Sequence, residues 1–292
     1  MLKIIKLNKS YGDKPVIKNL NLELKEKTIF GLVGINGAGK STILRLIAGV
    51  LIPDNGEITI NDQQILDNPI IKRNLFFLPD DPYYTNQTTG DSLVSLYKVF
   101  YDFDQEKFNY FTQLFNLDTK TSIHNFSKGM RRQLYIALAI ASKPKILLLD
   151  EAFDGLDPKA RLIFKRALIE LVEEQNTIVI ISSHSLRELE DICDSFGLLD
   201  GGYFKTSGII SETLDSVHKY QMAFKEEMDE KIFEALSPLN IDILGRVVKL
   251  ILKGKIEENK ERLKQYDPLF IEIVPIDFEE LFIYEIESGD QK

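Results

Sequence analysis

The sequence predicts an α/β fold built on a mostly parallel β-sheet with helices on both faces. Two short apolar runs, residues 145–149 and 177–181, have the composition of strands that are buried on both sides. The helical pattern from Pro158 to Glu174 lies between them, which is the order of a β-α-β unit. A third apolar run, residues 28–33, leads into a glycine-rich turn and then into another helical pattern.

Two further segments surround this core. Residues 1–30 predict a small N-terminal antiparallel β-layer, because residues 2–7 and 16–24 alternate partially and a turn at Gly12–Pro15 separates them. Residues 82–142 instead carry Phe, Tyr and Leu at helical spacing and few strand signals. They predict a helical subdomain that is inserted into the α/β core.

The pattern changes again near Val217. Residues 217–292 predict strands and helices in the order β-α-β-β-α-β, followed by a last helix, which is typical of a small α+β module. This segment holds 17 acidic and 11 basic side chains. We therefore expect two domains, residues 1–210 and residues 217–292, the second of them acidic.

Composition excludes several classes of function. The 292 residues carry a net charge of −9, and an acidic surface repels phosphate backbones, so no direct nucleic-acid partner is expected. No stretch reaches the 18 apolar residues of a membrane span, and the N-terminus lacks a signal-peptide core, so any spans would come from other chains. The single cysteine, Cys193, rules out an internal disulfide, and its acidic and apolar neighbours predict a buried structural thiol in a reducing cytosol.

The glycine-rich turn is the strongest chemical signal. Residues 34–41 read GINGAGKS and fit the pattern G-x-x-x-x-G-K-[ST] between a strand and a helix. The glycines let backbone N–H groups wrap around phosphates, Lys40 can neutralise the β- and γ-phosphates, and the Ser41 hydroxyl is placed for Mg²⁺. The predicted ATP contacts in this segment are Gly34, Asn36, Gly37, Ala38, Gly39, Lys40, Ser41 and Thr42.

A pair of carboxylates follows the apolar run at 145–149. Asp150 and Glu151 stand at the carboxyl end of a predicted parallel strand, where ligands bind in this class of sheet. Asp150 would hold Mg²⁺ through water, and Glu151 would act as the general base for an attacking water. Without the phosphate-binding turn the pair could equally be a solvated strand end.

Between these motifs lies the segment NFSKGMRRQ at residues 125–133, before an apolar helix. Here the chain resembles the nucleotide-binding subunits of ABC transporters, whose order of motifs it matches over roughly residues 1–210. The family signature is usually LSGGQ, and FSKGM keeps its serine and one glycine. The resemblance implies that Ser127, Lys128 and Gly129 act in trans, on ATP bound to a second copy. Taken alone, Ser127 would be an ordinary helix cap.

The same resemblance assigns four more residues. Asp157, in the segment DGLD at 154–157, matches the D-loop that crosses the dimer interface, and His184, after the run at 177–181, matches the switch histidine beside the γ-phosphate. Tyr11 matches the aromatic residue that stacks on adenine. Asp80 stands where the family has a glutamine, so we expect it to keep the coupling role of that position with an altered contact to the metal.

Together these residues imply an ATP-binding and ATP-hydrolysing subunit that powers an ABC transporter of exporter-like type with a short C-terminal extension. The catalytic residues would be Lys40, Glu151 and His184, and Mg²⁺ would be held by Ser41 and Asp150, with Asp80 as a further candidate. The implied partners are a second ATPase subunit, identical or not, and an integral membrane permease. The implied location is the cytoplasm, peripheral to the inner face of the cell membrane, with drugs, peptides and lipids all open as cargo.

Two other classes of protein agree less well with the sequence. A soluble ABC-type ATPase that acts on nucleic acid or ribosomes usually has two cassettes, a long coiled coil or zinc cysteines, whereas this acidic chain has one phosphate-binding loop and a single cysteine. A P-loop GTPase or kinase would not account for Ser127, Asp157 and His184 in that order.

Overall fold

The computed structural model of the chain describes residues 1–276 and 279–280. The chain forms two compact units, Met1–Ser207 and Gly208–Lys292. No helix within the described residues is long and apolar enough to cross a lipid bilayer.

Most of the helices and strands lie in the first unit. Its strands are β1 (Leu2–Tyr11), β2 (Lys14–Leu24), β3 (Ile29–Val33), β4 (Asn55–Ile60), β5 (Gln63–Gln64), β6 (Leu75–Leu78), β7 (Ile146–Asp150), β8 (Ile178–Ser183), β9 (Ser195–Asp200) and β10 (Tyr203–Ile209), which begins in this unit and ends just beyond it. Its helices are α1 (Lys40–Ile47), α2 (Pro69–Lys72), α3 (Gly90–Phe100), α4 (Gln105–Leu114), α5 (Lys128–Ala141), α6 (Pro158–Gln175) and α7 (Leu186–Glu190), with a 3₁₀ turn at Ile123–Asn125.

The larger sheet of this unit has the order β10-β9-β3-β8-β7-β6. The pairs β3–β8, β3–β9, β7–β8 and β6–β7 are parallel. Every residue of β3, β7 and β8 is buried, which explains why these strands read as continuous apolar runs. The predicted α/β fold with a covered parallel sheet is confirmed, although the sequence patterns did not reveal β9 and β10.

The smaller sheet forms the predicted antiparallel layer, with the order β2-β1-β4-β5. Its buried face, which includes Leu2, Ile4 and Leu7, packs in one apolar core with α1 and the larger sheet. The predicted four-residue turn at Gly12–Pro15 is too long, because β1 continues to Tyr11 and Pro15 already pairs with Ser10. Only Gly12 and Asp13 remain in the turn, and Gly12 adopts a φ of 58°. Tyr11 therefore stands at the very end of a strand.

Helices α3, α4 and α5 follow β6 and begin at side-chain caps. Thr89 and Ser92 form a capping box at α3, and Asp104 accepts a hydrogen bond from the Lys107 N–H at α4. Ser127 caps α5, and its hydroxyl accepts a hydrogen bond from the Met130 N–H over 3.1 Å. All residues of α5 from 132 to 141 are buried, because α4 and α6 both pack against this helix.

The second unit contains α8 (Ile210–Asp215), β11 (Val217–Ala223), a 3₁₀ helix (Glu230–Leu236), β12 (Asn240–Leu244), β13 (Val247–Lys253), α9 (Ile256–Lys264) and β14 (Phe270–Val274). The order from β11 onward is the predicted one, with a 3₁₀ helix in the first helical position. Its sheet has the order β12-β13-β11-β14 and is antiparallel. Side chains such as Tyr220, Phe233 and Leu263 form a core of its own. The predicted last helix lies outside the described residues.

Cys193 is buried, as the sequence predicts. A Cβ on Gly31 would lie 3.2 Å from the Cys193 Sγ, so the thiol is packed directly against strand β3. This burial raises the pKa of the thiol well above its ordinary value. Cys193 is therefore a structural side chain and not a nucleophile.

Candidate functional site

The glycine-rich loop connects the buried strand β3 to helix α1. Gly39, the residue before α1, has a φ of 111°, and α1 begins without a side-chain cap. The first N–H groups of a helix have no partner within the helix, so those of α1 are open to an external acceptor at the positive end of the helix dipole. A Cβ on Gly34 would lie only 2.5 Å from the Leu199 carbonyl oxygen, so this position has no room for a side chain. The loop is thus shaped as an anion cradle.

Lys40, the first residue of α1, is 6% exposed. Its Nζ donates hydrogen bonds to the Gly34 carbonyl oxygen over 2.6 Å and to the Ile35 carbonyl oxygen over 3.4 Å. It also lies 3.4 Å from the Glu151 Oε1. The ammonium group therefore holds the loop closed and links it to the carboxylate at the end of the neighbouring strand.

Asp150 ends strand β7 and is 1% exposed. Its Oδ1 accepts hydrogen bonds from two hydroxyl groups, Ser41 over 3.1 Å and Ser182 over 2.8 Å. Ser182 is a residue that the motif reading missed. The only signal for it was its position in an apolar strand, directly opposite Asp150 in the β7–β8 register.

The chemistry of the Asp150 carboxylate and the Ser41 hydroxyl indicates whether the site suits a divalent cation. Asp150 and Ser41 supply hard oxygen atoms beside the uncapped start of α1. Residues 1–276 and 279–280 contain no cluster of three or more His, Cys, Asp or Glu that could hold a metal. Mg²⁺ is usually held by one or two protein oxygens together with water and phosphate oxygens, and the Asp150 and Ser41 oxygen atoms are of this kind.

Glu151 follows Asp150 with a φ of 48°, a left-handed conformation that costs a non-glycine residue about 1–2 kcal/mol. Its N–H donates to the Ser182 Oγ over 3.0 Å, and its Oε2 lies 2.9 Å from the His184 Nδ1. The turned backbone places the two carboxylates in different surroundings. Asp150 faces α1, whereas Glu151 lies between Lys40 and His184.

A cavity of about 390 Å³ opens over the loop. This volume falls in the usual range for small-molecule sites. It is lined by Tyr11, Val16, Ile35, Asn36, Gly37, Gly39, Lys40, Ser41, Thr42, Asp80 and Glu151. Tyr11 is 49% exposed at its mouth. Gly34 and Ala38 belong to the same loop but are not among the lining residues, and Ala38 donates its N–H to the Ile35 carbonyl oxygen.

Ser127, Lys128, Gly129 and Asp157 do not line this cavity. Ser127 and Asp157 each cap a helix, with the Asp157 Oδ1 accepting a hydrogen bond from the Ala160 N–H over 2.9 Å. Lys128 forms an ion pair with Asp154. Within one chain, therefore, the residues expected to act in trans are not part of the cavity lining, although Lys128 lines a second pocket together with Asp80.

Asp80 lines the cavity, and its carboxylate also contacts the helical segment. The Asp80 Oδ1 accepts a hydrogen bond from Arg132 over 2.7 Å. Arg132 is buried and also donates to the Pro79 and Asp80 carbonyl oxygens. The motif reading missed Arg132, and the only sequence signal was the pair of arginines near the start of α5.

Comparison with known proteins identifies the family. A family model described as "ABC transporter" matches residues 17–154. The "ABC transporter ATP-binding protein YtrB" of Bacillus subtilis (strain 168) is 29% identical over 284 residues, which are 97% of each chain. The "Bacitracin transport ATP-binding protein BcrA" of Bacillus licheniformis is 32% identical over 206 residues, which are 69% of this chain and 67% of that one. The chain belongs to the ABC transporter family.

A solved structure supports the same assignment for this ABC protein. The "Structure of ATP binding subunit of ABC transporter" has a TM-score of 0.67 and 27% identity, over 73% of this chain and 91% of that chain. The ABC protein described here is thus an ATP-binding ATPase of a transporter. The resemblance inferred from the sequence is confirmed, and a role on nucleic acid or ribosomes is not supported.

Removal of the Ser182 hydroxyl tests how the two carboxylates are held. Ser182→Ala leaves the buried Asp150 with one hydroxyl partner and the Glu151 N–H with none, so we expect the free energy of unfolding to fall by about 1–3 kcal/mol. Chemical denaturation of the nucleotide-free protein, followed by circular dichroism, measures this change. Ser185→Ala is the matched control, because the Ser185 side chain makes no capping hydrogen bond. Equal stability of both variants would show that Ser182 does not support the site.

Proposed function

We propose that this protein hydrolyses ATP as one of a pair of ATPase subunits and thereby drives a separate membrane permease. The observation that carries the proposal is the division of the site within one chain. Lys40, Ser41 and Glu151 line the cavity, whereas Ser127 and Gly129 do not. Two copies in head-to-tail arrangement would bring the second set onto the nucleotide of the first, which gives a closed two-fold assembly.

Each residue around the cavity has a defined task in this proposal. The loop N–H groups and Lys40 bind the β- and γ-phosphates, and Tyr11 at the mouth stacks on the adenine ring. Glu151 accepts a proton from the attacking water, because its carboxylate lines the cavity. His184 orients Glu151 through the contact at 2.9 Å.

Mg²⁺ fits the oxygen atoms of Ser41 and Asp150 and would be held there. When bound, it neutralises charge on the phosphate oxygens. Asp80 approaches the same cavity, but its Oδ1 is engaged by Arg132. We assign Asp80 to coupling between the nucleotide site and the helical segment, with any contact to the metal secondary.

We further assign residues 1–210 to the ATPase domain, with a helical subdomain at about 82–142, and residues 217–292 to a small C-terminal domain. The protein would work in the cytoplasm at the inner face of the cell membrane, against its permease. The relative BcrA is named for bacitracin transport. This supports export of drugs, peptides or lipids as the task of the assembly.

ATP-dependent pairing is the direct test of the proposal. Glu151→Gln removes the general base, so we expect hydrolysis to fall by roughly 10²–10⁴-fold. ATP should then remain bound, and analytical ultracentrifugation should show a dimer with ATP and a monomer with ADP.

Lys40→Ala is the matched variant for the other half of the site. It should bind ATP weakly and stay monomeric under the same conditions. A Glu151→Gln variant that binds ATP with high affinity but never dimerises would contradict the paired site.

The membrane partner is tested by affinity capture. The tagged protein, expressed in its native organism, should co-purify with a multi-span protein from detergent-solubilised membranes. Mass spectrometry identifies that protein. When the tagged subunit is the Glu151→Gln variant, addition of ATP should release the membrane protein or change the arrangement of the complex. Recovery of ribosomal RNA without any integral membrane protein would reject the transporter role.

The role of Asp80 is tested with Asp80→Gln. Glutamine removes the charge that pairs with Arg132 but leaves ATP contacts in place, so basal hydrolysis should stay within a few-fold of the parent. Stimulation of hydrolysis by the purified permease should fall by roughly five-fold or more, the usual size of coupling between sites. Asp81→Asn, the exposed neighbouring acid, is the control. Unchanged hydrolysis and unchanged stimulation in Asp80→Gln would remove any special role of this residue.

A further inference from the structure

The start of helix α5 carries three cations, Lys128, Arg131 and Arg132, and its first turn contains no acid. The N-terminus of a helix is the positive end of its dipole, so a cation there is unfavourable when it lacks a partner. A sequence with this pattern requires anions or carbonyl oxygens from other parts of the fold.

The fold provides them from separate loops. Arg132 pairs with Asp80, and Arg131 donates to the Phe126 carbonyl oxygen over 2.6 Å and lies over the Tyr84 ring. Lys128 pairs with Asp154, at the start of the segment 154–157 that ends in Asp157. The hydrogen bond from Lys128 lowers the pKa of the Asp154 carboxyl, so this acid stays ionised at neutral pH.

The ion pair lies beside a close backbone contact between the same two segments. A Cβ on Gly129 would lie 2.6 Å from the Gly155 carbonyl oxygen, so only glycine lets the start of α5 approach the loop this closely. A Cβ on Gly155 would lie 3.5 Å and 3.6 Å from the Lys128 Cγ and Cδ. The stem of Lys128 thus lies along Gly155 while its ammonium group reaches Asp154.

We propose that Lys128 is a positioning residue that fastens the 127–129 segment to the 154–157 segment of the same chain. This inference rests on the proposed function, in which the 127–129 segment faces the nucleotide of a second copy and the 154–157 segment, as the D-loop, lies at the dimer interface. Ser127 and Asp157 are then presented to the partner as one preformed surface, and no ordering of two independent loops is required when the dimer closes. Preorganisation of this kind strengthens association without adding a contact across the interface.

A different role for Lys128 is a direct contact with the γ-phosphate on the partner. The two roles differ in what Asp154 does. If Lys128 positions the segments, loss of Asp154 should weaken the dimer as much as loss of Lys128. If Lys128 binds phosphate, loss of Asp154 should free the ammonium group and leave the dimer equally strong or stronger.

The experiment uses the full chain with Glu151→Gln and compares Lys128→Ala, Asp154→Asn, both together, and the reversed pair Lys128→Asp with Asp154→Lys. Sedimentation with saturating ATP gives the dimer dissociation constant, and fluorescence of an N-methylanthraniloyl ATP analogue gives nucleotide binding by the monomer. Lys27→Ala is the matched control, because Lys27 forms a similarly exposed ion pair with Glu173 in the same unit.

We expect each single variant to raise the dimer dissociation constant by about three- to thirty-fold, since an exposed ion pair is weak but occurs twice in the dimer. The double variant should be no weaker than either single one, and the reversed pair should recover most of the loss. Binding of the ATP analogue by the monomer and the thermal midpoint should stay unchanged. With Glu151 intact, Lys128→Ala should raise the ATP concentration for half-maximal hydrolysis and leave kcat nearly constant.

Two results would overturn the proposal. One is a weakened dimer in Lys128→Ala together with an unaffected or tighter dimer in Asp154→Asn, which would make Lys128 a phosphate ligand. The other is no change in any variant.

If Lys128→Ala is poorly folded, Lys128→Arg keeps the charge and should retain the parent's dimer, whereas Lys128→Gln should not. A parent that binds ATP but does not dimerise would instead contradict the proposed function, and this inference would fall with it.

Discussion

The buried carboxylate of Asp150 is the constraint on which the rest of the site depends. A carboxylate that is 1% exposed is tolerated only when hydrogen bonds replace its water, and two hydroxyls do this, one from α1 and one from β8. Because β7 and β8 are parallel and in register, Ser182 lies directly beside Asp150. The ends of two strands and the start of a helix are thereby fixed to one another, and Lys40 and Glu151 take their positions from them.

The sequence was a good guide wherever the signal was local. Strands buried on both faces appear as apolar runs, and the phosphate-binding loop is defined by backbone conformations that only a few nearby residues determine. Strand β10 gave no such signal, since it is largely accessible and therefore mixed in composition. Ser182 and Arg132 were missed because their partners lie 32 and 52 positions away in the chain. A hydroxyl in an apolar strand shows its role only when the register of the sheet is known.

In the helical segment, Ser127 has a structural role in the fold, beside the role in the dimer that we propose for it. Ser127 caps α5 in its own chain, which is the ordinary structural role of a serine before a helix. The same turn carries cations that the helix dipole disfavours. Two acids balance them: Asp80 lies on the loop that lines the cavity, and Asp154 lies in the 154–157 segment. The charge pattern of this helix therefore makes sense only when the loops around it are considered as its partners.

The buried thiol of Cys193 has a practical consequence. It is 8% exposed, it is packed against Gly31, and its raised pKa keeps it in the unreactive protonated form. The natural chain is thus already close to a cysteine-free background for maleimide chemistry. A cysteine introduced at an exposed site would take up nearly all of the label, so spectroscopic distance measurements between two copies could begin without re-engineering the core.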